Sequence, residues 1–221
     1  MTTMSRIISY STADQAHVVA FLGAGDSLSA DQRDHLAAMR ESAQAHQLRL
    51  ERQDIDWGLT VPDALDHLIA GHADSTAEYA ANAYYTALQH IIDANASDPA
   101  DLGSYSKPST FFGLLDDELR RLGVDADLLP HGYLFAGPPD GIPFRLPYPM
   151  DGSPDFGRLP LAKAKPAADA YRRVLDRIDP DLTYDVRVLI DMLDEEHDNW
   201  IWARERLDWY TQDTLFFSIK G

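Results

Sequence analysis

Apolar residues recur at two different spacings along the chain. Short apolar runs at residues 7–10 and 215–219 predict one β-strand near each end. Between them, apolar residues recur every three or four positions, which is the spacing of one face of an α-helix. A mostly helical chain with a strand at each end predicts an α+β fold, in which the N- and C-terminal strands belong to one small sheet.

Capping residues mark where several of the helices begin and end. Ser29 and Gln32 form a capping-box pattern, which predicts that a long helix starts there. Pro166 is expected to open another helix, because proline is favoured in the first helical turn. Further helices are predicted from Thr12 to before Gly23 and over residues 62–70, 75–94, 109–119 and 184–210. Gly71 stands just past the end of the helix over 62–70, as is typical of a helix C-terminus.

The stretch from about residue 130 to 160 has a different composition. It holds eight of the thirteen prolines, together with several glycines and aromatic residues. Proline removes backbone donors and glycine resists ordering, so little regular structure is expected before a strand at about 158–162. The interleaved aromatic residues predict an ordered loop that packs against the body of the protein.

Length and composition predict a single α+β domain over residues 1–221. The 45% hydrophobic and 25% charged fractions are those of an ordinary globular protein. The chain has no cysteine, which excludes disulfides and thiolate metal sites. No apolar run is long enough for a secretory or membrane-spanning segment, so a cytoplasmic protein is expected.

The net charge of −17 restricts the partners that are expected. An acidic surface repels the phosphates of nucleic acids and the headgroups of anionic membranes, so neither is predicted to bind. The same surface suits docking onto a basic protein partner. The sequence leaves the oligomeric state open.

A polar cluster is predicted around residues 63–72. Asp63, Asp66 and His67 fall on adjacent positions of one helical face, and His72 follows just after it. Such groups can form a solvated surface, a polar ligand pocket or a metal site. The surface interpretation is preferred, since Asp63 also suits the helix dipole. No metal and no cofactor are predicted.

The last long helix carries a second set of candidates. His197 follows the apolar stripe beside the buried face, and Glu196 stands at the edge of that stripe. The two could meet Asp66 and His67 across a cleft, although a salt-linked helix surface is the preferred interpretation. Trp202 and Trp209 lie seven residues apart, either buried in the core, which is preferred, or offered to a partner.

Several segments together resemble an uncharacterised actinobacterial family that is described only as a domain of unknown function. The segments are residues 4–10 (MSRIISY), 57–59 (WGL), 81–85 (ANAYY) and 161–166 (LAKAKP). Residues 65–71 (LDHLIAG) are more distantly similar to a Leu-His-Tyr-Leu-Leu-Thr-Gly run of the YfbM-like family, whose histidine falls on Asp66 and whose tyrosine falls on His67. Neither resemblance implies an activity.

Two functional hypotheses follow from these patterns. The leading one is an acidic protein-interaction module, immunity-like or a regulatory inhibitor, that uses Trp202 and Trp209. The alternative is a small-molecule binding protein or a hydrolase-like enzyme with a pocket beneath the 130–160 loop. The candidate pocket residues are Trp57, Asp66, His67, Tyr84 and His197. The sequence lacks a nucleophile elbow and a P-loop, which leaves open whether the protein is an enzyme.

Overall fold

The computed structural model describes residues 5–149 and 154–220. Its strands are β1 (Arg6–Ala13), β2 (Ala100–Tyr105), β3 (Asp155–Pro160) and β4 (Thr214–Lys220). Its helices are α1 (Gln15–Ala20), α2 (Ala30–Arg52), α3 (Val61–Ala70), α4 (Ala80–Asn95), α5 (Pro108–Arg121), α6 (Pro130–Leu134), α7 (Leu161–Arg172) and α8 (Thr183–Arg206). The α+β class is confirmed.

The chain divides into two compact units. The sheet unit comprises Met1–Ala13, Pro99–Pro138 and Phe156–Gly221, and the helical unit comprises Asp14–Asp98 and Pro139–Asp155. Each unit is therefore described by itself. The assignment of residues 1–221 to a single domain stays a prediction.

The terminal strands pair with each other, as the sequence predicts. The sheet has the order β2-β1-β4-β3, and β1 is antiparallel to both of its neighbours. Ile7 lies opposite Lys220, and Ala13 lies opposite Thr214. The first strand thus sits inside the sheet, where its backbone groups are paired on both sides.

The core of the sheet unit is formed by β1, β4 and the helices that follow β2 and β3. Ile8, Phe112, Tyr171 and Phe217 are almost completely buried within it. Gly157 in β3 is required by close packing, because a Cβ atom there would collide with the carbonyl oxygens of Tyr133 and Leu134.

The helical unit is centred on α4. All thirteen residues from Ala80 to Ile92 are buried, so this helix is covered on every side. The predicted capping box of α2 is confirmed, with Ser29 accepting a hydrogen bond from the backbone N–H of Gln32 at 3.2 Å. The predicted end of α3 is confirmed as well, since Gly71 takes the left-handed conformation at φ 92°.

Some predicted boundaries are wrong. Asp14, instead of Thr12, caps α1, because Thr12 still belongs to β1. The helix predicted from residue 75 begins only at Ala80. α7 begins at Leu161, five residues before Pro166, so that proline stands inside the helix. A proline at this position removes the hydrogen bond that its backbone N–H would have made to the Ala162 carbonyl, and its ring crowds that carbonyl.

The 130–160 stretch is ordered at both ends. It opens with α6 and closes with β3, while the described residues 135–149 contain neither helix nor strand. Residues 150–153 lie outside the described part. The Arg158 guanidinium donates to the carbonyl oxygens of Ala136, Gly137 and Pro138 at 2.5–3.2 Å. Within the helical unit, Tyr148 packs edge-on against Tyr85, with ring centroids 5.9 Å apart. That the whole 130–160 stretch is an ordered loop stays a prediction.

None of the helices within residues 5–149 and 154–220 combines the length and the apolar character needed to cross a membrane.

Candidate functional site

The C-terminal end of α3 carries a cluster of polar side chains in the helical unit. His67 stands in the last turn of α3, and its Nδ1 lies 2.9 Å from the hydroxyl of Tyr84 in α4. Tyr84 is completely buried, and its hydroxyl also accepts a hydrogen bond from the backbone N–H of Ser75 at 3.1 Å. Burial raises the pKa of the Tyr84 phenol, which keeps the hydroxyl protonated. The ring of His67 is thus held by a fixed hydroxyl.

The turn after α3 adds two more groups to this cluster. The backbone N–H of His72 donates to the His67 carbonyl at 3.0 Å, and the two imidazole rings lie 4.5 Å apart. His72 Nδ1 lies 2.9 Å from Asp74 Oδ1. This hydrogen bond lowers the pKa of Asp74, so its carboxylate stays charged. We call His67, His72, Asp74 and Tyr84 the histidine cluster.

The structure separates Asp66 from His67, although the two are adjacent in the sequence. Asp66 Oδ1 accepts hydrogen bonds from Arg40 Nε and Nη2 of α2, at 2.9 and 2.7 Å. Asp63 belongs to the start of α3, where it bonds with the Thr60 hydroxyl at 2.6 Å. Successive helical residues point about 100° apart, so Asp66 and His67 contact different neighbours. Asp63 and Asp66 are thus each hydrogen-bonded to a neighbouring side chain, and a binding role for Asp66 stays a prediction.

The remaining predicted residue of the helical unit is Trp57. It lies half-buried in the segment between α2 and α3. Its neighbour Gly58 takes a positive φ of 68°, and a Cβ atom there would lie 2.9 Å from the Cβ of Ala77. Gly58 therefore allows a close approach of the chain to Ala77 that a side chain would prevent.

Glu196 and His197 belong to the sheet unit. His197 is half-buried, with its ring 5.8 Å from that of Trp200 and its Nδ1 3.5 Å from Asp198 Oδ1. Burial, together with the neighbouring charge of Glu195, raises the pKa of the Glu196 carboxyl. That these residues share a pocket with Asp66 and His67 stays a prediction.

Trp202 and Trp209 are exposed, which corrects the preferred interpretation that they are buried. Trp202 is 54% exposed and Trp209 is 74% exposed. Trp200 takes the inner position instead, where its indole N–H donates to the Gln212 carbonyl at 3.0 Å. Two residues along a helix turn the side chain by about 200°, so Trp202 must face away from Trp200. The guanidinium of Arg206 covers the Trp202 ring at 5.3 Å.

Trp202 belongs to a continuous exposed face of α8. Its members are spaced by three, four or seven residues, so they line one side of the helix. They are Tyr184, Arg187, Asp191, Glu195, Asp198, Trp202 and Glu205, all of them exposed. We call this set the acidic aromatic face. Tyr184, which is 75% exposed, was not predicted from the sequence. It lies eighteen residues before Trp202, which is five full helical turns, and this spacing could have placed both residues on one face.

These features define the protein as an α+β chain with a compact histidine cluster in one unit and an exposed acidic aromatic face in the other. Residues 4–218 match the family described as a domain of unknown function, DUF7691, and the chain belongs to that family. The resemblance to a domain of unknown function is thereby confirmed over nearly the whole chain. The actinobacterial origin and the similarity to the YfbM-like family stay predictions. No match was found to a curated protein or to a solved structure.

Proposed function

We propose that this protein is an interaction module that binds a basic protein through the acidic aromatic face and Trp209. The observation that carries the proposal is the exposure of Trp202 and Trp209 at 54% and 74%. Exposed tryptophans cost solubility and are enriched among the residues that dominate binding energy. The interaction hypothesis requires such exposure, whereas the pocket hypothesis expects both tryptophans to be buried.

The charge around these tryptophans supports a basic partner. Residues 191–213 contain eight acidic residues and two arginines. Both arginines, Arg204 and Arg206, stack on tryptophan rings of the same helix. Asp198 lies one helical turn before Trp202, and Glu205, on its other side, is ion-paired with Arg206 at 3.3 Å. The excess of carboxylates over arginines in this segment gives the tryptophans a negative rim. A negative rim around an aromatic centre accelerates and orients the docking of a positively charged surface.

The length of the face suits a protein partner better than a small molecule. Tyr184 and Trp202 are eighteen residues apart on α8. At 1.5 Å per residue, they are separated by about 27 Å. A protein interface buries about 800 Å² on each side, and a helical face of this length is of the matching scale. By contrast, small-molecule sites are concave and enclose most of their ligand.

One observation favours the alternative, a small-molecule binding protein or a hydrolase-like enzyme with a His/Asp-lined pocket. Tyr84 and His67, two of the predicted pocket residues, are hydrogen-bonded to each other. Asp66, however, pairs with Arg40. The alternative is therefore the weaker proposal, and it depends on the histidine cluster alone.

The test is site-specific photo-crosslinking in an extract of the native host. A photoreactive phenylalanine derivative is placed at position 202, at position 209 or, as the control, at position 114. Leu114 is a matched control, because it is an exposed apolar residue of the sheet unit at 62% exposure, outside α8. We expect positions 202 and 209 to crosslink the same basic protein, and position 114 not to do so.

The identified partner is then purified and titrated against the wild type and against the Trp202→Ala/Trp209→Ala variant. We expect the double substitution to raise Kd by at least about 30-fold, the effect of one hot-spot residue. A partner that crosslinks equally from position 114, or that binds the variant as it binds the wild type, contradicts the proposal.

A further inference from the structure

We propose that His67, His72 and Asp74 form a binding site for a divalent transition metal ion of the zinc class. This inference does not depend on the proposed function, because the histidine cluster and the acidic aromatic face belong to different units. One potential ligand atom from each of the three side chains lies within 4.8 Å of the others.

The chemistry of the three donors selects the class of metal. Imidazole nitrogen is a ligand that zinc, cobalt, nickel and copper prefer, whereas magnesium and calcium prefer oxygen atoms alone. Two imidazoles and one carboxylate match a zinc site with three protein ligands. Such a site keeps a fourth position for water or for a ligand from solution. His72 and Asp74 have 43% and 80% exposed side chains, which leaves that position accessible.

The distances require only small side-chain movements. Zinc bonds to nitrogen and oxygen are about 2.0–2.1 Å long, so tetrahedral ligand atoms lie about 3.3 Å apart. One candidate donor atom from each side chain lies within 4.8 Å of the others, so donors at that spacing must approach by about 1.5 Å at most. His72 and Asp74 are exposed enough to rotate by this amount. His67 can stay in place, held by Tyr84.

Tyr84 supplies the support that metal-binding histidines usually have. A ligand histidine commonly uses its second ring nitrogen in a hydrogen bond that fixes the orientation of the ring. His67 Nδ1 already makes such a bond with the Tyr84 hydroxyl at 2.9 Å, which leaves Nε2 as the metal-binding atom. The Tyr84 hydroxyl is itself fixed by the Ser75 N–H. Tyr84 is therefore a positioning residue and not a ligand.

The backbone brings the three ligands together within eight residues. Gly71 reverses the chain at φ 92°, and the hydrogen bond from the His72 N–H to the His67 carbonyl closes the turn. The site therefore needs no other element to supply a ligand. It also lies at the C-terminal end of α3, where the helix dipole favours a positive charge.

The experiment is a titration of tag-free, EDTA-stripped protein with Co²⁺, followed by competition with Zn²⁺. Four-coordinate cobalt gives intense visible absorption bands that exposed, hydrated cobalt does not show. We expect saturation at one Co²⁺ per chain and loss of the bands when Zn²⁺ is added. Wild-type protein without saturable binding at this ratio overturns the proposal.

Variants assign the binding to these residues. His72→Ala and Asp74→Ala should each raise the Kd for metal by at least about 10- to 100-fold, and Tyr84→Phe should raise it about tenfold. His17→Ala is the matched control. His17 also lies close to an aspartate, at 3.5 Å from Asp14, but that pair includes no second histidine. Circular dichroism of each variant confirms that it is folded.

Binding that is unchanged in both His72→Ala and Asp74→Ala overturns the assignment. The Trp202→Ala/Trp209→Ala variant should bind Co²⁺ as the wild type does, so a failure of this proposal and a failure of the interaction proposal are distinguishable.

Discussion

The histidine cluster and the acidic aromatic face are organised in opposite ways. In the cluster, His67 is hydrogen-bonded to the completely buried Tyr84, whose hydroxyl accepts a hydrogen bond from the Ser75 N–H. On the face, Trp202 and Tyr184 are more than half exposed. The cluster thus has its partners within the molecule, and we propose that the face has its main partner in another protein.

This difference separates two kinds of evidence for function. Rigid support of a few polar atoms suits recognition of a small ion, which requires donors at fixed distances. A long exposed face with aromatic residues and charges suits recognition of a surface. Substitutions in the two regions should therefore affect different measurements.

The largest expected effect is a complete separation of the two binding properties. His72→Ala should raise the Kd for Co²⁺ about 10- to 100-fold and leave the Kd for the crosslinked protein partner unchanged. Trp202→Ala/Trp209→Ala should have the reverse pattern, with a partner Kd at least about 30-fold higher. Isothermal titration of both variants with both ligands checks this prediction. A folded variant that loses both metal binding and partner binding would contradict the assignment of these two properties to separate regions.

The second prediction concerns stability. Tyr84→Phe removes an acceptor from the Ser75 N–H and a partner from His67, so it should lower the free energy of unfolding by about 1–3 kcal/mol. Tyr184→Phe is the matched control on the other region, since Tyr184 is 75% exposed. It should change the free energy of unfolding by less than about 0.5 kcal/mol. Urea denaturation of both variants measures the free energy of unfolding. Equal decreases in the two variants would contradict the proposed difference between the buried and the exposed tyrosine.

The third prediction concerns salt. Raising the NaCl concentration from about 0.05 to 0.5 M should lower the association rate of the basic partner at least tenfold, because salt screens the negative rim. Glu195→Gln/Asp198→Asn should lower the same rate several-fold at low salt. Surface plasmon resonance measures both effects. A rate that does not respond to salt contradicts the electrostatic part of the proposal.

The smallest expected effect is the pH dependence of stability at Glu196. Burial raises the pKa of this carboxyl above its value in the unfolded chain. Its proton is therefore bound more tightly in the folded state, and this contribution is lost as the pH rises through the folded pKa. Glu196→Gln should thus melt at a higher temperature than the wild type at neutral pH, and the difference should vanish in acid.

The control for this last prediction is Glu41→Gln, at an exposed position of α2. Its melting temperature should follow that of the wild type across the whole pH range. A Glu196→Gln variant that behaves in the same way would show that ionisation of Glu196 does not affect folding.

Local signals predicted much of the secondary structure. The Ser29 capping box and Gly71 marked helix ends correctly, because these contacts lie within one turn of the chain. β2 was not predicted, since its sequence ADLGSY contains a single buried apolar residue, Leu102. It is a strand because its backbone pairs with β1, and such long-range pairing leaves little trace in the local pattern.

The candidate site could be predicted only in part. His67 and Tyr84 were both identified, but their hydrogen bond depends on how α3 packs against α4. Asp66 was grouped with His67 by helical spacing, although Arg40 of α2 provides its partner. Trp202 was expected in the core because large aromatic residues usually lie there. In the structure Trp200 is the partly buried tryptophan that packs against the core, and Trp202 is exposed.

The position of β1 has a consequence for how the protein is made. Two hundred residues lie between the end of β1 and the start of β4, yet Ile7 pairs with Lys220. On the ribosome, the edge of β1 that pairs with β4 therefore stays unpaired until residues 214–220 have emerged. Residues 14–98 of the helical unit are complete much earlier. Closing the sheet between β1 and β4 thus joins two strands that are far apart along the chain, and such long-range contacts slow folding.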